Sequence, residues 1–148
     1  MINENSTKTE VLEAVEQSWH ALQYASEELQ GDREVVLAAV EQNGSALQYA
    51  SEELRRDKAF VLAAVRQSWH AWHALEYASA GLKGDRDVVL AAVRQNGRAL
   101  QYASAGLKGD RDVVIAAAMD TAYSLKYAHE SLRYDKDIID YAIGLKND

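Results

Sequence analysis

Apolar and polar residues follow each other along this chain in blocks that return at nearly constant intervals. An apolar pair, Val-Leu or Val-Ile, opens each block, and a Tyr-Ala-Ser tripeptide follows, with Tyr-Ala-His in the last block. The tyrosines lie 25, 28, 25 and 25 residues apart, at Tyr24, Tyr49, Tyr77, Tyr102 and Tyr127. Residues 32–56 and 85–109 are identical at 18 of 25 positions. The chain is therefore a tandem array of units, at 7–31, 32–56, 57–84, 85–109 and 110–134.

The pattern within a unit predicts two short helices. The first helix begins at an aspartate that can cap free backbone N–H groups, at Asp32, Asp57, Asp85, Asp110 and Asp135. In the first unit Thr7 takes this place, and Glu10 stands at capping-box spacing. The second helix carries apolar residues at i, i+3 and i+7, such as Leu47, Ala50 and Leu54. Helices this short need neighbours to be stable.

Two glycines mark the predicted ends of first helices. Asn43-Gly44 and Asn96-Gly97 follow the apolar block, and a left-handed glycine commonly ends a helix. The fold class that we expect is all-α, a right-handed-type α-solenoid of five two-helix repeats with a capping helix at 135–146. Residues 1–6 form a flexible tail in this prediction, and residues 7–148 form a single domain.

Polar residues replace apolar ones at the two ends of the array. The apolar column that begins at Val35 has Glu10 in the first unit, and the column that begins at Leu12 has Asp140 in the last helix. We expect both residues to be solvated, since terminal units of an array have a polar outer face.

The stretch DREVVLAAVEQNGSALQYASEEL, from Asp32 to Leu54, resembles a family of tandem helical repeats that is catalogued as a domain of unknown function. That family occurs in proteins of protists and of amoeba-associated bacteria. The resemblance covers nearly the whole chain from about Thr7 onward, and the family's unit spans about two of the 25-residue units. It implies a helical-repeat fold, and it brings no catalytic residue, cofactor or ligand to this chain.

Composition narrows the possible functions. The 148 residues include no Cys and no Pro, and the net charge is -7. Absence of Cys excludes disulfides, a thiol nucleophile and Cys-ligated zinc. The acidic balance argues against nucleic acid or a membrane as partner. No signal peptide or membrane span is evident, so we expect a cytoplasmic monomer, with export by another route left open.

No catalytic motif is present in the sequence. A phosphate-binding glycine loop, an HExxH motif and a paired-carboxylate site are all missing. We therefore expect no enzymatic activity and no cofactor.

Tryptophan replaces the turn glycine in alternate units, and histidine follows it. Trp19 and Trp69 stand where other units have glycine, and a second Trp-His pair adds Trp72 and His73 to the third unit. An exposed Trp beside His would make a protein-binding hot spot. The alternative is that these rings fold over the next helix as a staple.

Histidine spacing suggests a weaker possibility, which is a metal site. His70, His73 and Glu76 are spaced by three residues and could share one helix face. Two histidines alone are insufficient for a closed zinc site, and Glu76 could supply a third ligand. Our expectation is that no metal is bound.

Charge is distributed unevenly along the array. Residues 1–74 hold 12 acidic and 6 basic residues, whereas residues 75–148 hold 11 and 10. The acidic excess includes the pairs Glu27-Glu28 and Glu52-Glu53. They form either a solvated face or a patch that attracts a basic partner.

Three functions remain open from the sequence. The favoured one is a non-enzymatic scaffold that binds a protein or peptide. The alternatives are a metal or small-ligand module at the Trp/His cluster, and a structural segment of a larger multidomain protein.

Overall fold

The computed structural model describes residues 1–67 and 70–144. Within those residues the chain is all-α and has no β-strand. The α-helices there are α1 (Lys8–Gln17), α2 (Glu27–Gln30), α3 (Arg33–Gln42), α4 (Glu52–Arg56), α5 (Lys58–Gln67), α6 (Ala74–Tyr77), α7 (Ala80–Lys83), α8 (Arg86–Gln95), α9 (Ala105–Lys108), α10 (Arg111–Asp120), α11 (Glu130–Arg133) and α12 (Lys136–Ala142). The 3₁₀ helices are η1 (Trp19–Tyr24), η2 (Gly44–Tyr49), η3 (Ala71–His73), η4 (Gly97–Tyr102) and η5 (Ala122–Tyr127).

These elements follow one another in a constant order. A long α-helix of ten residues is followed by a 3₁₀ helix and then by a short α-helix. In the third unit, η3 continues directly into α6 before α7 begins. Each long helix packs on the next one along the chain, in the series α1, α3, α5, α8, α10 and α12. The predicted all-α tandem array is therefore confirmed.

The second helix of each unit is not continuous, so the predicted helix pair is wrong. In the second unit η2 ends at Tyr49, Ala50 is extended (φ -72°, ψ 158°), and α4 begins two residues later. The N–H of Ser51 there donates to the carbonyl of Gln30 in the preceding unit at 2.9 Å. The same bond, also at 2.9 Å, joins Ser79 to Arg55, Ser104 to Lys83 and His129 to Lys108. A hydrogen bond between units thus replaces one within a helix.

Side-chain caps begin the helices where the sequence predicts them. Each cap aspartate accepts a hydrogen bond from the N–H three residues later, at 2.9–3.2 Å, at Asp32, Asp57, Asp85, Asp110 and Asp135. Thr7 and Glu10 form the predicted capping box. The serines of Tyr-Ala-Ser are caps as well, since Ser51 Oγ accepts from Leu54 N at 3.3 Å. These bonds satisfy N–H groups that a helix cannot pair internally.

The long helices do not end in a left-handed glycine, which corrects that prediction. Among the described residues only Gly144, just beyond α12, has a positive φ (79°). Extended Asn43 and Asn96 end α3 and α8, and the glycine that follows opens a 3₁₀ helix. Gly97 is needed for a different reason: a Cβ atom there would lie 2.3 Å from the carbonyl oxygen of Ala117. The next unit is too close for any side chain.

Apolar side chains form one core cluster that extends through successive units. The residues of the Val35 column are 0–2% exposed, namely Val35, Phe60, Val88, Val113 and Ile138. A second column is half-buried and packs against this core, at Leu12, Leu37, Leu62, Leu90 and Ile115. Burying an aliphatic side chain of this size contributes about 1.5–3 kcal/mol, so the shared core stabilises the packing of successive units.

The two ends of the array differ from each other. Glu10 is exposed, as predicted. Asp140 was expected to be solvated but is only 9% exposed, and its carboxylate pairs with Lys136 Nζ at 3.0 Å. An ion pair of this kind lowers the cost of burying a charge. Residues 1–6, predicted as a flexible tail, form a turn (Ser6 N–H to Asn3 O, 3.0 Å), and Ile2 packs against the core.

Ion pairs also join successive units, and the sequence analysis did not predict them. The first residue of each long helix is Lys or Arg, and from α1 to α10 it reaches the cap aspartate of the next unit. The N–O distances are 3.1 Å for Lys8–Asp32, 3.1 Å for Lys58–Asp85, 3.0 Å for Arg86–Asp110 and 2.7 Å for Arg111–Asp135, and Arg33 pairs with Asp57. Several of these cations reach a second acid, in the pairs Lys8–Glu34, Lys58–Asp87, Arg86–Asp112 and Arg111–Asp137. We call this series the cap ladder.

Each cap aspartate in the cap ladder has two roles, since it caps a helix and also forms an ion pair. The Arg111 guanidinium and the N–H of Ile138 lower the pKa of Asp135 to about 2. For Asp57 the N–H of Phe60 and the Arg33 guanidinium likewise lower the pKa. Exposed ion pairs alone contribute little, about 0–1 kcal/mol each. The pKa shifts nevertheless link the stability of the array to pH.

Replacing Gly97 by alanine should lower the free energy of unfolding by about 1–3 kcal/mol, because the Cβ atom would collide with a backbone carbonyl. Gly81→Ala is the matched control, since a Cβ atom there would meet only Ser79 Oγ, at 3.9 Å. Urea unfolding followed by circular dichroism measures both. Equal stability of the two variants would contradict the close approach at Gly97.

Asp135→Asn should destabilise the protein above about pH 4 and have less effect as the pH falls toward about 2. The pKa of Asp135 is lowered by folding, so its carboxylate stabilises the fold above the unfolded pKa of about 3.9 and ceases to do so as the pH falls through its folded value. Asparagine still caps a helix, so this variant isolates the charge. Urea unfolding across that pH range tests the prediction, and a difference independent of pH would contradict it.

Candidate functional site

The Trp-His motifs form two matching aromatic clusters between units. Trp19 stacks on His20, and Trp72 stacks on His73, with ring centroids 3.7 Å apart in both pairs. Each tryptophan also contacts a tyrosine of the following unit, at 6.1 Å for Trp19–Tyr49 and 5.9 Å for Trp72–Tyr102. Trp72 is thus the structural counterpart of Trp19. Trp69, a predicted binding residue, lies outside the described residues.

Burial separates the two described tryptophans. Trp72 is 9% exposed and belongs to the core cluster, so its ring is not available to a partner at the surface. Trp19 is half-buried and packs against the same core. Packing between units therefore accounts for Trp72, while partner binding by Trp19 stays a prediction.

The predicted metal ligands are not brought together. Across the described residues, no three His, Asp or Glu side chains are grouped so as to hold a metal ion. His70 is exposed, and its carbonyl accepts from the N–H of Gly44 at 3.1 Å. His73 Nδ1 lies 3.4 Å from the hydroxyl of Tyr102. These residues join units through hydrogen bonds.

Glu76 lies beside the same tyrosine and influences its ionisation. Burial raises the pKa of Tyr102 to about 12, and the charge and hydrogen bonding of Glu76 contribute to the shift. Burial lowers the pKa of His73, although the charge of Glu76 opposes this shift. Tyr102 is therefore protonated at neutral pH, and desolvation favours the neutral form of His73.

Three of the four predicted acidic residues line one groove. Glu27 and Glu28 in the first turn of α2 and Glu53 in α4 surround a groove of about 350 Å³ between these short helices. We call it the acidic groove. Glu52 is not part of it and pairs instead with Arg56 at 3.7 Å. All four glutamates are exposed.

No described residue neutralises the three glutamates of the acidic groove by an ion pair. Arg33 also lines it, but this guanidinium is already paired with Asp57 in the cap ladder. Glu27, Glu28 and Glu53 form no ion pair with any residue that the structure describes. Three carboxylates on one surface attract a cationic side chain or peptide.

The cap ladder is the feature of the site region that sequence reasoning missed. A signal for it was present, since Lys or Arg follows the cap of every long helix, at Lys8, Arg33, Lys58, Arg86, Arg111 and Lys136. The cap ladder determines which charged side chains remain unpaired, because the Lys or Arg that follows each of these caps forms an ion pair with a nearby aspartate.

No helix in the described part of the chain has the length and apolar character needed to span a bilayer.

Comparison with known proteins identifies one family. Its model, described as Domain of unknown function (DUF4116), matches the chain four times in overlapping succession, over residues 10–55, 32–83, 57–108 and 85–133. Each match spans about two of the 25-residue units, as the resemblance implied. No curated protein and no solved structure matches the chain.

Trp72→Ala should lower the free energy of unfolding by about 3–5 kcal/mol, since it removes a large buried side chain. Trp19→Ala should cost less, because that ring is only half-buried. Urea unfolding followed by circular dichroism compares them, with wild type as reference. A larger loss in Trp19→Ala than in Trp72→Ala would contradict the assignment of Trp72 to the core.

Proposed function

The chain belongs to the family described as Domain of unknown function (DUF4116), and we propose that it is a non-enzymatic scaffold that binds a basic segment of a partner protein. In this proposal the array is a right-handed α-solenoid of five units with α12 as its cap. The stacked long helices provide a stable support, and the short helices present side chains to the partner. The protein acts as a monomer in the cytoplasm. A cytoplasmic location suits its composition, since a chain without Cys forms no disulfides and needs no oxidising compartment.

The observation that supports this function is the acidic groove. Glu27, Glu28 and Glu53 surround about 350 Å³ of accessible space and have no ion-pair partner among the described residues. A Lys- or Arg-rich segment in an extended conformation could place side chains beside these carboxylates. Each exposed ion pair contributes about 0.2–1 kcal/mol, so the expected binding is modest and weakens with salt.

A non-enzymatic role is supported by the structural contacts that serine hydroxyls and the His73 ring make. The hydroxyls of Ser26, Ser51, Ser79 and Ser104 accept hydrogen bonds from backbone N–H groups as helix caps. His73 is stacked on Trp72 and contacts Tyr102, which commits its ring to packing. These roles are structural, and they leave these groups without the base and nucleophile pairing that catalysis requires.

A labelled decapeptide of alternating Lys and Ser should bind the wild-type protein at low salt. The triple variant Glu27→Gln/Glu28→Gln/Glu53→Gln should bind it about tenfold more weakly, because three rim ion pairs are lost. Fluorescence anisotropy measures the dissociation constant.

The matched control is Glu4→Gln/Glu13→Gln/Glu16→Gln, which removes the same charge from three exposed glutamates outside the groove. It should retain affinity within about twofold, since the groove is intact. An equal loss of affinity in both triple variants would show that only net charge matters and would overturn the site.

A further inference from the structure

The near-neutral second half of the chain has a surface that is more basic than its composition suggests. Most of its acidic residues are committed to the cap ladder, at Asp85, Asp87, Asp110, Asp112, Asp135 and Asp137. Asp140 pairs with Lys136, and Asp120 accepts from the N–H of Gly97 at 2.8 Å. The cations left without an ion pair among the described residues are Lys83, Arg94, Arg98, Lys108, Lys126 and Arg133.

Three of these cations gather in one groove. Lys108 in α9, Lys126 in η5 and Arg133 in α11 line an open groove of about 500 Å³ between the last two short helices before α12. We call it the basic groove. Tyr127 lines it as well, and Glu130 is the one acidic residue in its wall among those that the structure describes. The acidic groove of the first half also lies between short helices of neighbouring units, but it has the opposite charge.

Two of the three cations of the basic groove, Lys126 and Arg133, are held in position by other groups of the protein. Lys126 Nζ lies 4.1 Å from the ring centroid of Tyr123 and 5.1 Å from that of Tyr127, and it donates a hydrogen bond to the Tyr123 hydroxyl. Arg133 Nε donates to the carbonyl of Ala128 at 2.9 Å. Side chains that are already ordered lose less conformational entropy when a ligand binds.

Two of these groups, Lys126 and Tyr123, depart from the repeat. The position of Lys126 holds Glu76 in the third unit and a glutamine in the other three, whose amide donates to the carbonyl three residues before it at 3.0–3.1 Å, at Gln23, Gln48 and Gln101. Tyr123 stands where the other units have His20, Ser45, His73 and Arg98. The position shared by Lys108 and Arg133 is basic in four of the five units, so Lys126 is the cation that is particular to this groove.

From these observations we propose that the basic groove binds an acidic segment, rich in Asp or Glu, of a partner protein. Carboxylates suit this surface because ammonium and guanidinium groups donate strong hydrogen bonds to them. A short acidic peptide can lie within the groove alone. A long polyanion such as a nucleic acid would extend toward the acidic first half and be repelled there.

A fluorescein-labelled decapeptide of alternating Glu and Ser tests the proposal by anisotropy at low salt. Lys108→Gln/Lys126→Gln should weaken binding about five- to tenfold, since two of the three cations are lost. The control Arg66→Gln/Arg94→Gln removes equal charge from two exposed residues outside the groove and should change affinity less than about twofold. Circular dichroism verifies that both variants are folded.

Three results would overturn the proposal. Equal weakening by both double variants would mean that net charge alone attracts the peptide. Tighter binding of a labelled decathymidylate, lost in Lys108→Gln/Lys126→Gln, would make nucleic acid the occupant. A wild-type dimer in light scattering that the same variant dissociates would make a second copy the occupant. The acidic-groove variant should leave binding of the Glu-Ser peptide intact, so failure of either proposal is distinguishable from failure of the other.

Discussion

Each unit of this chain depends on hydrogen bonds and ion pairs that only its neighbours can complete. The N–H of Ser51 reaches the carbonyl of Gln30 in the preceding unit, and the same bond returns between later units. Arg111 crosses to Asp135, which at the same time caps α12. Because a long helix of ten residues is marginal alone, these contacts and the shared apolar core hold the array together. At Gly97 the backbone of the next unit lies so close that a methyl group would collide with the carbonyl oxygen of Ala117.

The cap ladder also shapes the surface on which the proposed functions depend. From α1 to α10 it pairs the cation at the start of each long helix with acids of the next unit, so those charges are removed from the surface available to a partner. Among the described residues, Glu27, Glu28 and Glu53 in the first half and Lys108 and Lys126 in the second half are left without an ion pair. A chain with a net charge of -7 can therefore have one acidic and one basic groove. Both proposed sites therefore depend on the ion pairs of the cap ladder.

Sequence reasoning succeeded where the determinants are local. The cap at Asp85 and the capping box of Thr7 and Glu10 depend on atoms three residues apart, and both are found as predicted. It was less successful where the determinant lies in another unit. The continuous second helix and the left-handed Gly44 were inferred from a segment considered alone, and the structure has neither. Asp140 was expected to be solvated at the end of the array, yet it is buried. For His70, His73 and Glu76, regular spacing did not produce a metal-binding group.

The sequence by itself determined that the protein is an all-α tandem array, where its long helices begin and which family it resembles. Those properties follow from periodicity and from caps that act within one turn of helix. Only the tertiary structure decided that Trp72 is core, that Ser51 bonds to the preceding unit, and which charges stay free. The physical reason is distance along the chain: the partners of these groups lie about one unit away, and only stacking brings them within hydrogen-bonding or van der Waals range.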